Sequence, residues 1–197
     1  MQATNHQLFL WLNAGAEVSP WLLNLAMFTA KQVIYGIPLL LVFLWLWGTH
    51  EKRCTALKAL AVTGVALAIN YLLGIVIPTP RPFEIGLGYT YLDHAATPAF
   101  PSNHFTIFLC IAITFIRGRL LNLGLILLIV SLPVAWARIF VGVHYPIDMM
   151  GAIIVAIVSF ICVSPLWRAI GAQITRLVEL AYGTIFAYFI ALGWVKK

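Results

Sequence analysis

The stretch 56–77, ALKALAVTGVALAINYLLGIVI, carries a single charge, Lys58, and stops abruptly at Pro78-Thr79-Pro80-Arg81-Pro82. A helix rises about 1.5 Å per residue, so about 20 apolar residues suffice to cross the hydrocarbon of a bilayer. This run meets that length and ends on residues that cannot continue a helix. It reads as a membrane span with a polar loop at its end. The rest of the chain has the same character: 62% of its 197 residues are hydrophobic and 9% are charged. A soluble domain carries about 25% charged residues. Five further segments fit a span, at 21–47, 101–116, 120–137, 144–163 and 177–195. The first is longer than a crossing requires and is interrupted by Lys31, Gly36 and Pro38, so a tilt or kink is expected there. Residues 8–12, with Trp11, read as a short interfacial helix. The expected fold is all-α: an integral membrane bundle of six transmembrane helices behind a short N-terminal interfacial helix, with 1–197 as one domain.

The net charge of +6 comes from 12 basic and 6 acidic residues. In a membrane protein this excess reflects topology, because Lys and Arg collect in cytoplasmic loops. No nucleic-acid partner is implied. His50-Glu51-Lys52-Arg53, Arg117-Gly118-Arg119, and Arg168 with Arg176 follow alternate segments, which assigns those ends to the cytoplasm. Six spans then place both termini outside. Cys54, Cys110 and Cys162 are scattered and form no disulfide or metal-site pattern. The N-terminus has no basic region or small-residue cleavage site of the kind a cleavable signal peptide carries.

The polar residues that remain gather at the outer ends of three segments. Arg81 follows the second. Pro101-Ser102-Asn103-His104 opens the third. Arg138 closes the fourth, with His144 and Asp148 opening the fifth. Singly, each has a plain structural role. Ser102 or Asn103 caps a helix, an arginine snorkels to the interface, and Asp148 caps a helix start beside His144. Together they form a set suited to phosphate. Two guanidiniums neutralise phosphoryl oxygens in bidentate fashion. The free N–H groups at the start of a helix receive an anion. A four-residue spacing puts His144 and Asp148 on one helix face, where the carboxylate fixes the imidazole tautomer and leaves the other nitrogen to attack. A second histidine, His104, can protonate a leaving oxygen. No carboxylate cluster suggests a metal, so no cofactor is expected and the arginines would do the work a divalent cation does elsewhere. Glu84, Asp93 and His94 read as solvated loop residues.

Three motifs now resemble a known family. The type 2 phosphatidic acid phosphatase (PAP2) superfamily carries K-x6-RP, PSGH and SR-x5-H-x3-D. Here they read GIVIPTPRP, PSNH and ARIFVGVHYPID. The R-x5-H-x3-D spacing is intact. Gly74 stands at the lysine position, Asn103 at the glycine and Ala137 at the serine. Lys31, inside an apolar span, is a candidate substitute for the missing lysine. The resemblance implies His144 as nucleophile, Asp148 as its orienting group and His104 as acid and then base. It implies Arg81, Ser102, Asn103 and Arg138 as the phosphate cradle. The variants are most similar to the bacitracin-resistance type of undecaprenyl-diphosphatase. That implies removal of the terminal phosphate of a C55 isoprenyl diphosphate, through a phosphohistidine, at the outer face of a bacterial inner membrane. The implied partners are the lipid phosphate and membrane lipids. The residues themselves also fit a phosphatase or phosphotransferase acting on phosphatidylglycerol phosphate, phosphatidate or lipid A. A non-catalytic lipid-phosphate carrier accounts for the arginines but not for the His144–Asp148 pair with His104.

Overall fold

In a computed structural model, residues 2–197 are described, and among them the chain is all-helical, with no strand. Helix α1 (Gln2–Leu12) is followed by α2 (Pro20–Lys31) and α3 (Gly36–Trp47), then α4 (His50–Val76) and α5 (Asn103–Arg117). The chain continues through α6 (Leu121–Phe140), α7 (Pro146–Ile185) and a short α8 (Ala187–Ala191). Stretches 20–47, 50–76, 121–140 and 146–185 are each long and apolar enough to cross a membrane. Leu39, Phe43, Leu72, Ile129, Ile154 and Ile161 are all more than half exposed on them. Large apolar side chains facing outward along several long helices are what a lipid environment selects. This is a multi-pass membrane protein.

The break expected in the first long segment is present. Helix α2 ends at Lys31, a 3₁₀ turn spans Val33–Tyr35, and α3 resumes at Gly36. The last two segments differ from expectation. The sequence separates 144–163 from 177–195, but α7 runs without interruption from Pro146 to Ile185, with Pro165 inside it. The intervening SPLWRAIGAQITR is polar enough to end an apolar run, yet Leu, Arg, Ala and Gln are strong helix formers. The two termini also lie at different ends of the bundle. Helix α1 sits beside Tyr145, through Phe9 and His6. Residues 194–196 sit beside the start of α4: the Lys196 N–H donates to the Leu46 carbonyl, and Arg53 donates to the Lys196 carbonyl. Both termini on one side therefore does not hold, because the chain after α7 makes no return pass.

Helix α5 is the centre of the bundle and packs on α4, α6 and α7. Its Phe105, Phe108, Leu109, Ile111 and Phe115 are buried, as are Ala112 and Cys110. At 15 residues it is shorter than each of the three helices it packs on, and being sheathed by them it presents little surface of its own. This packing brings the start of α5, the end of α6 and the start of α7 together.

Candidate active site

The connection from α6 to α7 is five residues long. Gly142 makes the turn with φ +85°, a left-handed conformation natural to glycine, and a side chain there would run into the Tyr89 carbonyl. His144 follows two residues later. It is 2% exposed, and Asp148, one helical turn on, is fully buried. The His144 Nδ1–H donates to Asp148 Oδ2 at 3.0 Å. The same oxygen accepts the Tyr145 N–H at 2.8 Å. Asp148 thus caps α7 and orients His144 with one oxygen. A carboxylate only accepts, so the imidazole proton sits on Nδ1 and the lone pair on Nε2.

That lone pair points between two guanidiniums. Arg81 Nη1 lies 3.3 Å from Nε2 and Arg138 Nη2 lies 3.4 Å from it. Both arginines are buried. Arg81 is held by three backbone carbonyls and one hydroxyl: Nε donates to Thr97 O, Nη1 to Val143 O, and Nη2 to Pro98 O and Thr97 Oγ1. Its own N–H donates to Glu84 Oε2, so Glu84, though exposed, braces the arginine's turn. Arg138 Nη1 donates to Ala30 O at the break after α2, and its buried Nε has no partner. No carboxylate touches either guanidinium among the described residues. Burial, helped by Arg138 and Arg81, holds the His144 imidazole well below its ordinary titration range, so the ring is neutral.

Ser102 stands at the N-cap of α5, but its hydroxyl makes no capping bond and is buried without a partner. Simple capping therefore does not account for it. The Ser102 N–H donates to Asp148 O, which ties the start of α5 to the start of α7. The Gly151 backbone lets them close up, because a side chain there would strike the Phe100 ring. His104, in the first turn of α5, is partly buried. Asn103 is exposed and accepts from Asn70 Nδ2 at 2.8 Å. This bond gives the asparagine in place of glycine a structural reason. A lone asparagine in an apolar span is the sequence signal that points to Asn70.

The seven residues singled out in the sequence thus come together at one end of the bundle. Lys31 is exposed, one residue past the Ala30 carbonyl that Arg138 holds. Besides Asn70 and the Glu84 brace, sequence reasoning missed two contributors. One is α1 with the residue that follows it: Asn5 Oδ1 accepts the Ile147 N–H, Phe9 packs on Tyr145, and Asn13, just past the helix, donates from Nδ2 to Tyr89 O and Phe140 O. Its polar positions gave no motif to read. The other is His94. The sequence places it in solvent, but it is partly buried with its ring 6.4 Å from that of His144.

Residues 55–172 match the PAP2 superfamily model. The chain is 34% identical, over 196 residues, to the putative undecaprenyl-diphosphatase YbjG of Escherichia coli K12, covering 100% of this chain and 99% of that protein. It is 36% identical over 156 residues to the undecaprenyl-diphosphatase BcrC of Bacillus subtilis, covering 78% and 79%. Among solved structures, Aquifex aeolicus LpxE superposes with a TM-score of 0.68 at 22% identity, over 81% of this chain and 93% of that one. The last likeness bears on the fold.

Proposed function

The chain belongs to the PAP2 superfamily, and on that premise we propose that it removes the terminal phosphate of undecaprenyl diphosphate, yielding the monophosphate. The observation that carries the reading is the His144 Nε2 lone pair, set by Asp148 and bracketed by two buried guanidiniums that lack a counter-charge. An unpaired pair of buried cations calls for an anion, and a neutral imidazole between them calls for an electrophile. Both needs are met by a phosphoryl group. The names of the two relatives, which span most of this chain, select the isoprenyl diphosphate among lipid phosphates.

His144 Nε2 attacks the terminal phosphorus, forming an N–P bond as the P–O bond to the bridging oxygen breaks. His104 gives its proton to the departing oxygen. Arg81, Arg138 and the N–H groups at the start of α5 hold the three phosphoryl oxygens as charge develops on them. Asp148 stabilises the positive charge on the ring. Water then attacks the phosphohistidine, His104 takes its proton, and inorganic phosphate leaves.

Residues 1–197 act as one catalytic unit. The site faces the periplasm across a bacterial inner membrane, because the basic ends at 50–53 and 117–119 lie at the other end of the bundle and belong inside. The stretches 20–47, 50–76, 103–117, 121–140 and 146–185 make the crossings, α5 being short because it is enclosed. Residues 177–195, the sixth span of the hydropathy reading, stay at the cytoplasmic end. A cysteine at position 197, in a background without Cys54, Cys110 and Cys162, should react with an impermeant reagent only from the inside.

Purified protein given undecaprenyl diphosphate should release inorganic phosphate and hold an acid-labile phosphoryl group on His144. Activity on phosphatidate or phosphatidylglycerol phosphate exceeding that on the isoprenyl diphosphate would reassign the lipid. Label moving to an acceptor lipid would make the protein a transferase. No release at all, with wild type and His144→Ala alike, would overturn the enzymatic reading.

A further inference from the structure

The loop between α4 and α5 does more than hold Arg81. Residues 97–98 supply three of the acceptors that fix the Arg81 guanidinium, and the Ala99 N–H donates to Thr79 O. His94 lies at the outer end of this pinned segment. Its Nδ1–H donates to Ala95 O at 2.9 Å, which fixes the tautomer and leaves Nε2 unpaired. The ring stands at 75° to that of His144, with centroids 6.4 Å apart. His94 is partly exposed where His144 is buried, so it stands on the open side of the centre.

A diphosphate brings two phosphoryl groups, and the residues described so far bind one. Reacting atoms approach to about 3–3.5 Å. The transferred phosphorus therefore sits against His144 Nε2, between Arg81 and Arg138, with its leaving oxygen directed away from the nucleophile. The phosphate that stays on the lipid then lies farther out, at the level of His94. Gly74, where the superfamily motif has lysine, offers no donor to it. Resting on the diphosphatase reading, we propose that His94 is a specificity residue: its Nε2 takes up a proton as substrate binds and donates to the retained phosphate.

The charges facing His94 support this order of events. Arg81 and Arg138 face it from the α4–α5 loop and from α6, with His144 and His104 from the start of α7 and of α5. Asp93 precedes it in an exposed position, Glu84 is bonded to the Arg81 N–H, and Asp148 is engaged by His144. Burial and the two arginines lower the pKa of His94 in the free protein against the opposing pull of the Ala95 carbonyl, so the resting ring is neutral. A diphosphate reverses the sign of that field and raises the pKa.

The test compares His94→Ala, His94→Gln and His94→Lys with wild type, between pH 5.5 and 8.5. The readouts are KM and kcat for isoprenyl diphosphate and Ki for orthovanadate, which mimics only the transferred group. In His94→Ala, KM should rise about 10-fold, the scale of one charge-assisted hydrogen bond. The kcat should stay within about 3-fold and the vanadate Ki within about 2-fold. Wild-type KM should climb as pH rises. His94→Lys should hold KM low and flat, and His94→Gln should leave it raised and flat. An unchanged KM in His94→Ala, a parallel rise in KM and vanadate Ki, or a pH-dependent KM surviving in His94→Lys would overturn the inference while leaving the diphosphatase reading standing. No phosphate release by wild type would overturn both.

Discussion

The molecule buries arginines at both ends of α4, and they serve opposite purposes. Near its start, Arg53 is 2% exposed and fully engaged. Nε donates to Trp45 O, Nη2 to Lys196 O and Nη1 to Glu179 Oε1, and the guanidinium lies over the Trp45 and Tyr182 rings. A carboxylate neutralises it and each nitrogen has an oxygen. Beyond the other end, Arg81 and Arg138 have carbonyls and the lone pair of His144 but no carboxylate, and Arg138 Nε has nothing. Burial alone does not mark a functional cation. What marks it is charge left over once the protein's own partners are counted. Arg53 clasps the C-terminal residues onto the bundle, while Arg81 and Arg138 keep an unmatched positive field, the field that the proposed function gives to a phosphate.

The comparison is broken most severely at His144. His144→Ala should lower kcat by about 10⁴-fold or more, measured as phosphate release, because it removes the one imidazole that Asp148 orients between the two guanidiniums. Next, Arg138→Lys keeps the charge but loses the fork that reaches His144 and Ala30 together. It should reduce kcat/KM by about 10²–10³-fold. Arg53→Ala should behave in the opposite way. Glu179 is partly exposed and keeps His50, so losing the Arg53 hydrogen bonds should cost about 1–3 kcal/mol, seen as a lower unfolding temperature in detergent, with kcat/KM within about 3-fold of wild type. A loss of turnover in a well-folded Arg53→Ala protein would erase the distinction between the two ends.

Acidity sharpens it further. In the proposed mechanism His144 attacks as the neutral ring, and burial with the two arginines depresses its pKa. The neutral fraction therefore survives acidification, and the acid limb of kcat/KM should fall below the ordinary imidazole value of about 6.5. Removing a cation in Arg138→Gln should move that limb back toward neutrality. The smallest effect belongs to Lys31, which is exposed and absent from the His144 cluster. Lys31→Gln should change kcat/KM less than about 2-fold, since a snorkelling lysine touches neither phosphate nor nucleophile.

How much of this was legible beforehand depends on the range of each interaction. The His144–Asp148 pair is local, with His144 just before α7 and Asp148 in its first turn, and its four-residue spacing could be read directly. Arg81 and Arg138 were legible because charge beside an apolar span is costly and has to be explained. Arg53 was not, since its string of neighbours, HEKR, has the composition of any cytoplasmic loop. Its partners Glu179 and Lys196 are more than 120 residues away. His94 was hidden for the same reason. Its segment looks like a solvated loop until Arg81 gathers the Thr97 and Pro98 oxygens around itself and draws the loop onto the site.

The sequence by itself determined that the chain is helical and membrane-embedded, where its helices begin beside proline-rich polar loops, and which residue types could handle a phosphate. Those properties follow from hydropathy, backbone chemistry and short spacings. Only the tertiary structure decided that α7 continues past Pro165, that the termini part company, that α1 packs against the base of the site, and that one buried arginine is neutralised where two are not. Each of these depends on which distant groups meet, and a pattern of neighbours along the chain does not carry that information.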